Sequence, residues 1–422
     1  MVTRTDTREF QEPSVVSFED AWQFIVKAGL AAHRYGSTAG RLESFLVGLS
    51  KKFGYEGVFR STPSDIVFAV RETPGSPQRV ELIATPTPGV DLDKLARLGD
   101  LLQEVEAGTL SLADSFGRLD AIDKVSPPWG RFASMLGYAF TGIGLAPLLG
   151  GGWADALFAM LFSILVYGLV LLSARLGPFA SDWLPFSTAF VVGVLATVVK
   201  FWVPELNFVL VILASVAILL PGYTISLGAG ELVAGHIASG AANLMNGLIC
   251  LFKQVAGGWL GVIAAGFVIP LAAMGPANPV EPVWMWLLVP TIIVGLCLAF
   301  QTSHRDLPWA ALVCGIAYLG ILAGSALLNS NLGNLVGTII AVVVANLWAR
   351  KTGRPSSIVL IPAIVLLVSG SIGFRGLASM AGGDLLLGAQ QFLQMFVVAM
   401  TIFVGIVVGH TVIRPQAKDD LL

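Results

Sequence analysis

Leu219-Leu220-Pro221-Gly222-Tyr223 and Leu367-Val368-Ser369-Gly370-Ser371 are each predicted to end a long apolar helix of this 422-residue chain. Proline and glycine break helices, so each stretch predicts an interruption in an apolar helix. The first stretch is followed by Glu231-Leu232-Val233-Ala234-Gly235, and the second by Asp384-Leu385-Leu386-Leu387-Gly388. The two stretches therefore indicate the same position in two halves of an internal repeat.

The repeat lies in a strongly apolar part of the chain. The sequence is 55% hydrophobic and 12% charged, and charges become rare after Ser126-Pro127-Pro128. A bilayer span needs roughly 20 apolar residues. Glycine, proline and Asn/Ser breaks, including Asn329-Ser330-Asn331, divide this part into about ten transmembrane helices. They are predicted near 130–149, 153–174, 184–202, 207–226, 246–271, 282–301, 307–328, 332–350, 356–374 and 391–413.

These helices form two five-helix repeats, predicted over residues 129–272 and 281–415. Because five is an odd number, the second repeat is inverted in the membrane relative to the first. Inverted repeats with broken helices at their interface are typical of secondary transporters, in which two halves rock around one central site. The sequence thus predicts a polytopic α-helical membrane protein of the transporter class.

The N-terminal part has a different composition. Residues 1–130 carry 32 of the 52 charged side chains of the chain. Residues 1–16 are polar and irregular and are expected to form a flexible tail, whereas residues 17–125 predict an α+β domain with the order α-α-β-β-β-α-α. We call this domain the head. His33, near the end of its first helix, is predicted to have a surface or capping role.

Several classes of function are excluded by composition. The net charge of −2 and the lack of a basic run argue against nucleic-acid binding. All three cysteines lie in apolar stretches, so no disulfide framework or zinc site is expected. The head has no glycine-rich phosphate loop and no catalytic cluster, so we expect neither an enzyme nor a cofactor. An intramembrane enzyme or a membrane-bound sensor is a weaker alternative.

The distribution of Lys and Arg predicts the orientation of the body. No signal peptide is recognisable, so the head is expected in the cytoplasm, with both termini inside and the body in the cell (inner) membrane. Nine basic residues then lie on the cytoplasmic side and two on the other. The nine are Lys124, Arg131, Arg175, Arg305, Arg350, Lys351, Arg354, Arg414 and Lys418, and the two are Lys200 and Arg375.

Four motifs make the chain resemble the threonine/serine exporter family. Gly36-Ser37-Thr38 and Val90-Asp91-Leu92 open two helices of the head, and Leu220-Pro221-Gly222 marks the first break. The run from Ser369 to Gly376 marks the second break. The family usually has proline before the glycine of this run, where the present chain has Ser369. The resemblance covers the head and both halves of the body.

The resemblance implies export of threonine and serine from the cytoplasm, driven by the proton motive force. Related two-component members are associated with succinate export, so a dicarboxylate is the alternative substrate. The implied partners are the small-molecule substrate, protons and the lipid bilayer, with a homo-oligomer left open. No metal and no cofactor are implied.

The two breaks and the segments after them supply the candidate substrate-binding residues. Helix N-termini at a break offer N–H donors to a carboxylate, and carbonyl or amide oxygens suit an ammonium. Positions 236, 239, 243 and 246 alternate by three and four, so they form one polar helix stripe, either facing the pathway or wetting an interfacial helix. The candidates are Gly222, Tyr223, His236, Asn243, Asn246, Ser369, Gly370, Ser371 and Gln391.

Three charged residues are candidates for proton coupling. Glu231 and Asp384 are predicted to occupy matching repeat positions, and an ionisable residue near a span is a functional candidate by default. The alternative is that each carboxylate stabilises a helix N-terminus. Lys253 is expected inside the fifth span, where it either pairs with these carboxylates, contacts a substrate carboxylate or reaches the interface.

Overall fold

The computed structural model describes residues 16–86, 88–270, 278–328, 332–367 and 370–414. Nearly all of the predicted tail over 1–16, the predicted turn at 329–331 and the candidate Ser369 lie outside these residues. The structure confirms a helical membrane body with an N-terminal α+β head, as the sequence predicts.

The head contains four helices and one antiparallel sheet of three strands in the order β1-β2-β3. Serine or aspartate side chains cap three of its helices, since Ser17, Asp91 and Ser111 each accept a bond from a backbone N–H three residues later. Ile66 and Phe68 of the central strand are fully buried under the helices. The elements are α1 (Phe18–Tyr35), α2 (Ala39–Lys52), β1 (Glu56–Ser61), β2 (Asp65–Arg71), β3 (Arg79–Ala84), α3 (Leu92–Ala107) and α4 (Leu112–Lys124).

The body contains the remaining helices. In the first half they are α5 (Gly130–Leu148), α6 (Trp153–Leu176), α7 (Pro178–Asp182), α8 (Leu184–Trp202), α9 (Phe208–Ser215), α10 (Gly222–Val233) and α11 (Ile237–Gly266). In the second half they are α12 (Met285–Ala299), α13 (Leu307–Leu327), α14 (Gly333–Thr352), α15 (Ser357–Leu367), α16 (Gly370–Ala381) and α17 (Leu385–Val412). Short 3-10 turns cover Ala217–Leu219 and Pro282–Trp284.

Within the described residues, eight helical segments are long and apolar enough to cross a membrane. A ninth is formed by α9 together with Ala217–Val233, which bends by 62° at the break. Helix α5 forms at the position of the first predicted span but is not among these segments, because Arg131 and several Gly, Ser and Thr residues make it less apolar.

Three predicted helix boundaries are corrected by the structure. The fourth helix does not end near residue 226, because α10 resumes at Gly222 and continues to Val233. The fifth helix begins at Ile237 rather than near 246, so the polar stripe is part of α11. The ninth predicted helix extends past 374 to Ala381, as α15 and α16. In each case polar and glycine residues continue a helix because a packed neighbour supports it.

The first break follows from its sequence and is stabilised by neighbouring helices. Pro221 has no backbone N–H and stands at the residue before α10, where none is needed. The break leaves carbonyl groups without helical partners. Ser163 Oγ donates to Ser215 O at 3.3 Å, and Gln254 Nε2 donates to Leu219 O at 2.9 Å. Side chains of α6 and α11 therefore satisfy the backbone that the break exposes.

The internal repeat is visible as two helix hairpins, α10–α11 and α16–α17. Glycines allow backbone contact in both: a Cβ on Gly228 would lie 2.5 Å from Leu244 N, and a Cβ on Gly376 would lie 2.7 Å from Phe392 N. In each hairpin a second glycine on the facing helix, Gly240 or Gly388, lies against the backbone of the first helix at the same crossing. The residues of the second hairpin follow those of the first at one constant interval in the sequence, so the two halves share this unit.

This register corrects the predicted pairing of Glu231 with Asp384. His236 precedes α11 and Asp384 precedes α17 as their N-cap residues, so Asp384 corresponds to His236. At the same interval Glu231 corresponds to Ser379. The two carboxylates therefore stand at different positions of the repeat.

The head packs directly against the body. The N-terminus of α3 meets the C-terminal end of α12, where Leu92 N donates to Phe300 O at 3.1 Å and Asp93 N donates to Gln301 O at 3.0 Å. Arg354 bridges the two parts, at 2.9 Å from Asp100 of the head and 2.6 Å from Asp306 of the body. We call the membrane side that carries these contacts the head side.

The predicted surface role of His33 is wrong, because its side chain is only 2% exposed. The segment after β3 covers it, and His33 Nε2 lies 3.0 Å from Thr85 Oγ1. Burial lowers the pKa of His33 and outweighs the hydrogen bonds to the backbone at Pro86 and Pro63, which act in the opposite direction.

We expect Gly376→Ala to destabilise the protein, because its new Cβ has no space beside Phe392 N. An overpacked helix contact costs about 1–3 kcal/mol. The measurement is the melting temperature of the purified full chain in detergent. The matched control is Gly168→Ala in α6, where a Cβ meets nothing within 4 Å. Equal melting temperatures for the two variants would contradict the close crossing.

The stability of the head is expected to fall as the pH drops below about 6.5. Burial places the pKa of His33 in the folded head below its pKa in the unfolded chain. As the pH falls, the unfolded chain therefore takes up the proton first. The free energy of unfolding has its full value above the unfolded pKa and decreases below it. Hydrogen exchange of α1 in the full chain at about pH 7.5 and about pH 5.5 measures the effect. A His33→Asn variant should lose most of the difference, and an unchanged difference would refute the assignment to His33.

Candidate functional site

The two broken helices meet between the halves of the body. Both α10 and α16 begin with a glycine, and a Cβ on Gly370 would lie 3.1 Å from Gly222 Cα and 3.2 Å from Gly222 N. The start of a helix carries free N–H groups and the positive end of the helix dipole. Two such ends in contact form a region suited to an anionic group.

A cavity of about 140 Å³ lies beside this meeting point. It is bounded by α5, α12 and both broken helices, and most of its wall is apolar. The polar side chains on it are Thr141, Tyr223 and Ser371, and Gly222 and Gly370 contribute backbone. Its described lining includes no charged side chain. The predicted residues Gly222, Tyr223, Gly370 and Ser371 are thus brought together here.

Tyr223 separates this central cavity from a larger one on the head side. The larger cavity has a volume of about 920 Å³ and extends from Thr85 and Val90 of the head to the break. Leu220, Tyr223 and Val365 line both cavities and form the wall between them. A movement of these three side chains would join the two spaces.

Glu231 lies at the head end of α10 and is only 6% exposed. Its Oε2 accepts hydrogen bonds from Ser239 Oγ and Asn243 Nδ2, both at 2.8 Å. Its Oε1 lies 3.4 Å from the backbone N–H of Ala39, at the first turn of the head helix α2. These three donors thus occupy both carboxylate oxygens of Glu231.

The polar stripe faces the protein rather than a membrane interface. Ser239 and Asn243 are buried against Glu231, whereas Asn246 is exposed to the 920 Å³ cavity. His236 lies at the turn between α10 and α11, with Nδ1 at 3.7 Å from Glu43 of the head. The stripe thus borders two different spaces.

The other candidates lie apart from this cluster. Lys253 Nζ donates to Asp182 O at 2.9 Å and borders the 920 Å³ cavity, so it does not pair with either carboxylate. Gln391 corresponds to Asn243 in the repeat, and its Oε1 is buried without a partner among the described residues.

Asp384 lies on the side of the body away from the head. It is exposed and accepts a bond from Leu387 N at 3.1 Å, so it caps α17. The other end of α17 contacts α14 through Arg350 and Arg414, next to the head-binding Arg354. A 28-residue helix is about 42 Å long, so Asp384 is remote from Glu231.

The sequence interpretation missed the contribution of the head to this region. Thr38, Ala39 and Arg41, at the start of α2, lie against α10. The Gly36-Ser37-Thr38 motif marks the start of α2, but nothing local shows what that helix end contacts. Among the described residues, no group of three or more His, Cys, Asp or Glu side chains could hold a metal ion.

A helical body with an internal repeat and paired half-helices defines a membrane protein of the transporter class. Comparison with known families agrees. Residues 23–265 match the family model "Putative threonine/serine exporter", and residues 286–412 match "Threonine/Serine exporter, ThrE". The chain belongs to the threonine/serine exporter family.

Relatives occur in bacteria and yeasts. The "Probable threonine/serine exporter" of Mycobacterium tuberculosis is 24% identical over 370 residues, covering 84% of this chain and 69% of that protein. "Pheromone-regulated membrane protein 10" is 22% identical in Yarrowia lipolytica and 24% identical in Kluyveromyces lactis, in each case over 87% of this chain. The chain spans only 31% and 39% of these two yeast proteins. No solved structure matches the chain.

Proposed function

We propose that this protein exports threonine and serine from the cytoplasm by alternating access between its two halves. The contact between the starts of α10 and α16, at Gly222 and Gly370, carries the proposal. Membership of the exporter family and the "exporter" name of the bacterial relative support it. The head side is then the cytoplasmic side, and the body lies in the cell membrane.

The central cavity is the transport site in this mechanism. The substrate carboxylate binds the free N–H groups at the two helix starts, because these groups and the helix dipoles favour a negative charge. Tyr223, Thr141 and Ser371 offer hydroxyl groups to the substrate ammonium and hydroxyl. An uncharged apolar wall suits a small zwitterion better than a dicarboxylate, which would bring a second uncompensated negative charge.

Alternating access follows from the wall between the two cavities. With Leu220, Tyr223 and Val365 in place, the central cavity is closed towards the 920 Å³ cavity. Substrate reaches this larger cavity from the cytoplasm, past Lys253 and Asn246. Lys253 attracts the substrate carboxylate there, and rearrangement of the wall admits the substrate to the central cavity.

Glu231 is the proposed coupling group. It is buried, and its two carboxylate oxygens accept three hydrogen bonds. Glu231 lies on α10, the half-helix that begins at Gly222 beside the transport site, so protonation of its carboxylate changes the charge on a helix that the substrate contacts. Uptake and release of a proton at Glu231 are thereby linked to binding and release of the amino acid. Asp384 and Lys253, the other candidates, lie outside this cluster and are not required for this link.

Glu231→Gln should abolish proton-driven transport, because glutamine cannot exchange a proton. The measurement is the flux of labelled threonine in proteoliposomes under an imposed pH gradient. We expect the flux of this variant to fall to the level seen without a gradient. Asp384→Asn is the matched control and should keep normal flux, because Asp384 is exposed. Normal gradient-driven flux in Glu231→Gln would remove the coupling role.

Gly370→Ala should weaken the transport site without unfolding the protein, because its Cβ would displace Gly222 by a few tenths of an ångström. Loss of one charge-assisted hydrogen bond corresponds to an apparent threonine affinity about tenfold weaker. The affinity is measured by transport at varied threonine concentration, with Gly168→Ala as control. Inhibition of threonine flux by unlabelled serine supports the proposed substrates, whereas inhibition by succinate alone would favour the dicarboxylate alternative.

A further inference from the structure

A polar face of α16 leads from the central cavity towards the side of the body away from the head, which we call the far side. Ser371 lines the central cavity, and Arg375 and Ser379 follow it at intervals of four residues. Residues at this spacing lie on one face of a helix, so Arg375 stands about 6 Å beyond Ser371 along the axis of α16. Helix α16 ends shortly before Asp384, which lies on the far side. Arg375 therefore lies between the central cavity and the far side.

The corresponding face of α10 borders open space. At the interval that relates the two hairpins, Ser371 corresponds to Tyr223 and Arg375 corresponds to Leu227. Tyr223 and Leu227 both line a cavity of about 310 Å³ between the head and the body. In alternating access, two inverted halves exchange their open and closed arrangements. The face of α16 that carries Arg375 is then the one that opens when the transporter faces the far side.

Arg375 is a charged residue within a membrane helix. Its side chain is half-buried, and its Nε is buried without a hydrogen-bond partner among the described residues. The ion pairs of the described residues do not include it. Charged side chains in membrane helices are costly, and they usually face a pathway or a partner in the interior. A guanidinium binds a carboxylate through paired N–H groups, so a carboxylate that passes along α16 is a matching partner for Arg375.

Gln391 of α17 supplies a second group without a partner. Its Oε1 is buried and accepts no hydrogen bond from a described residue. In the first hairpin its counterpart Asn243 lines a cavity of about 80 Å³ together with Leu227, the counterpart of Arg375. The repeat therefore places Arg375 and Gln391 beside a common space, with a free donor on one and a free acceptor on the other. A buried polar group without a partner costs free energy, so this pair points to a ligand.

We propose that Arg375 and Gln391 form a far-side binding site for the exported amino acid. The guanidinium of Arg375 binds the substrate carboxylate, and Oε1 of Gln391 accepts a hydrogen bond from the substrate ammonium. The carboxylate reaches Arg375 by moving about one helix turn from the N–H groups at the start of α16. This inference rests on the proposed function, because it takes a zwitterionic amino acid as the ligand and the far side as the side of release.

The site divides release into two steps. A substrate that leaves the central cavity exchanges the helix N–H groups for Arg375 before it enters water, so its carboxylate keeps a charge-assisted hydrogen bond. An amino acid that enters from the far side meets the same groups in the reverse order. The affinity for substrate added on the far side therefore depends on Arg375, whereas the affinity for substrate added on the head side does not.

Transport measured from each side separately tests the site. Membrane vesicles from cells that produce the protein are prepared in both orientations, and the protease sensitivity of the head shows which side faces the bath. The vesicles are loaded with labelled threonine, and its exchange is followed at varied concentrations of unlabelled threonine in the bath. We expect Arg375→Gln to raise the half-saturating concentration about tenfold on the far side, as loss of one charge-assisted hydrogen bond would. On the head side it should stay unchanged.

Threoninol, in which an alcohol replaces the carboxylate, separates a binding role from a structural one. In the natural protein the far side should bind threonine more tightly than threoninol, measured as inhibition of exchange. Arg375→Gln should lower this preference about tenfold, and Arg375→Lys, which keeps the charge, should restore part of it. The matched control is Arg175→Gln, because Arg175 is exposed at the head-side end of α6. A purely structural defect would instead lower the maximal rate and leave the preference unchanged.

Gln391→Leu tests the site without a change of charge. We expect the affinity for far-side threonine to fall about tenfold, because the ammonium loses its acceptor. Gln394→Leu is the matched control, since Gln394 is exposed on the same helix, and it should behave as the natural protein does.

Unchanged far-side affinity in a folded Arg375→Gln would overturn the far-side site, and the proposed function would then stand. An equal loss of affinity on both sides would also overturn it, because the effect would not belong to the far side. If Arg375→Gln does not reach the membrane, unchanged far-side affinity in Gln391→Leu overturns the inference. The absence of threonine exchange by the natural protein, relative to vesicles that lack it, would instead contradict the proposed function itself.

Discussion

A helix that is broken inside a bilayer must find partners for the backbone groups that the break exposes, because lipid offers none. In this protein the groups freed around Pro221 receive bonds from Ser163 and Gln254, on α6 and α11. These two helices must therefore pack beside the break, and the half-helix α10 must fold back on α11. The glycine crossing at Gly228 makes this close contact sterically feasible. The central cavity exists because these neighbours support the broken backbone.

The same constraint explains why the head is tied to one half of the body. Helix α10 begins at the break inside the body and runs towards the head. Its last turns therefore lie on the head side, where Glu231 contacts the first turn of α2. A carboxylate at that position is stabilised by the N–H groups of a helix start, and the head provides that start. The head therefore completes the surroundings of Glu231, while Arg354 and the contact between α3 and α12 hold it in place.

The sequence predicts the elements better than their contacts. Pro221 and Gly222 predict the first break because the missing N–H of proline and the free backbone of glycine act at their own positions. Cap residues such as Asp91 predict helix starts for the same reason, since the side chain bonds a backbone N–H three residues later. The register of the repeat is harder to predict from sequence, because several polar residues follow each break. The packing of the two hairpins shows that Asp384 corresponds to His236 rather than to Glu231. The contact between Ala39 and Glu231 joins segments far apart in the chain, and no local pattern indicates it. The spacing of Ser239 and Asn243 predicts a shared face but not the carboxylate that they bind.

The two half-helices share a backbone arrangement but differ in charge, so the two ends of the body are not chemically equivalent. Glu231 corresponds to Ser379, and Arg375 corresponds to Leu227, so the half-helix α10 carries an acid and the half-helix α16 carries a base. Arg375 is half-buried, and its Nε has no partner among the described residues. A pair of half-helices with the same charges would present the same groups towards both sides of the membrane. Because α10 ends in an acid on the head side whereas α16 carries a base, an ion that approaches from one side meets a different electrostatic environment from one that approaches from the other, although the backbones correspond.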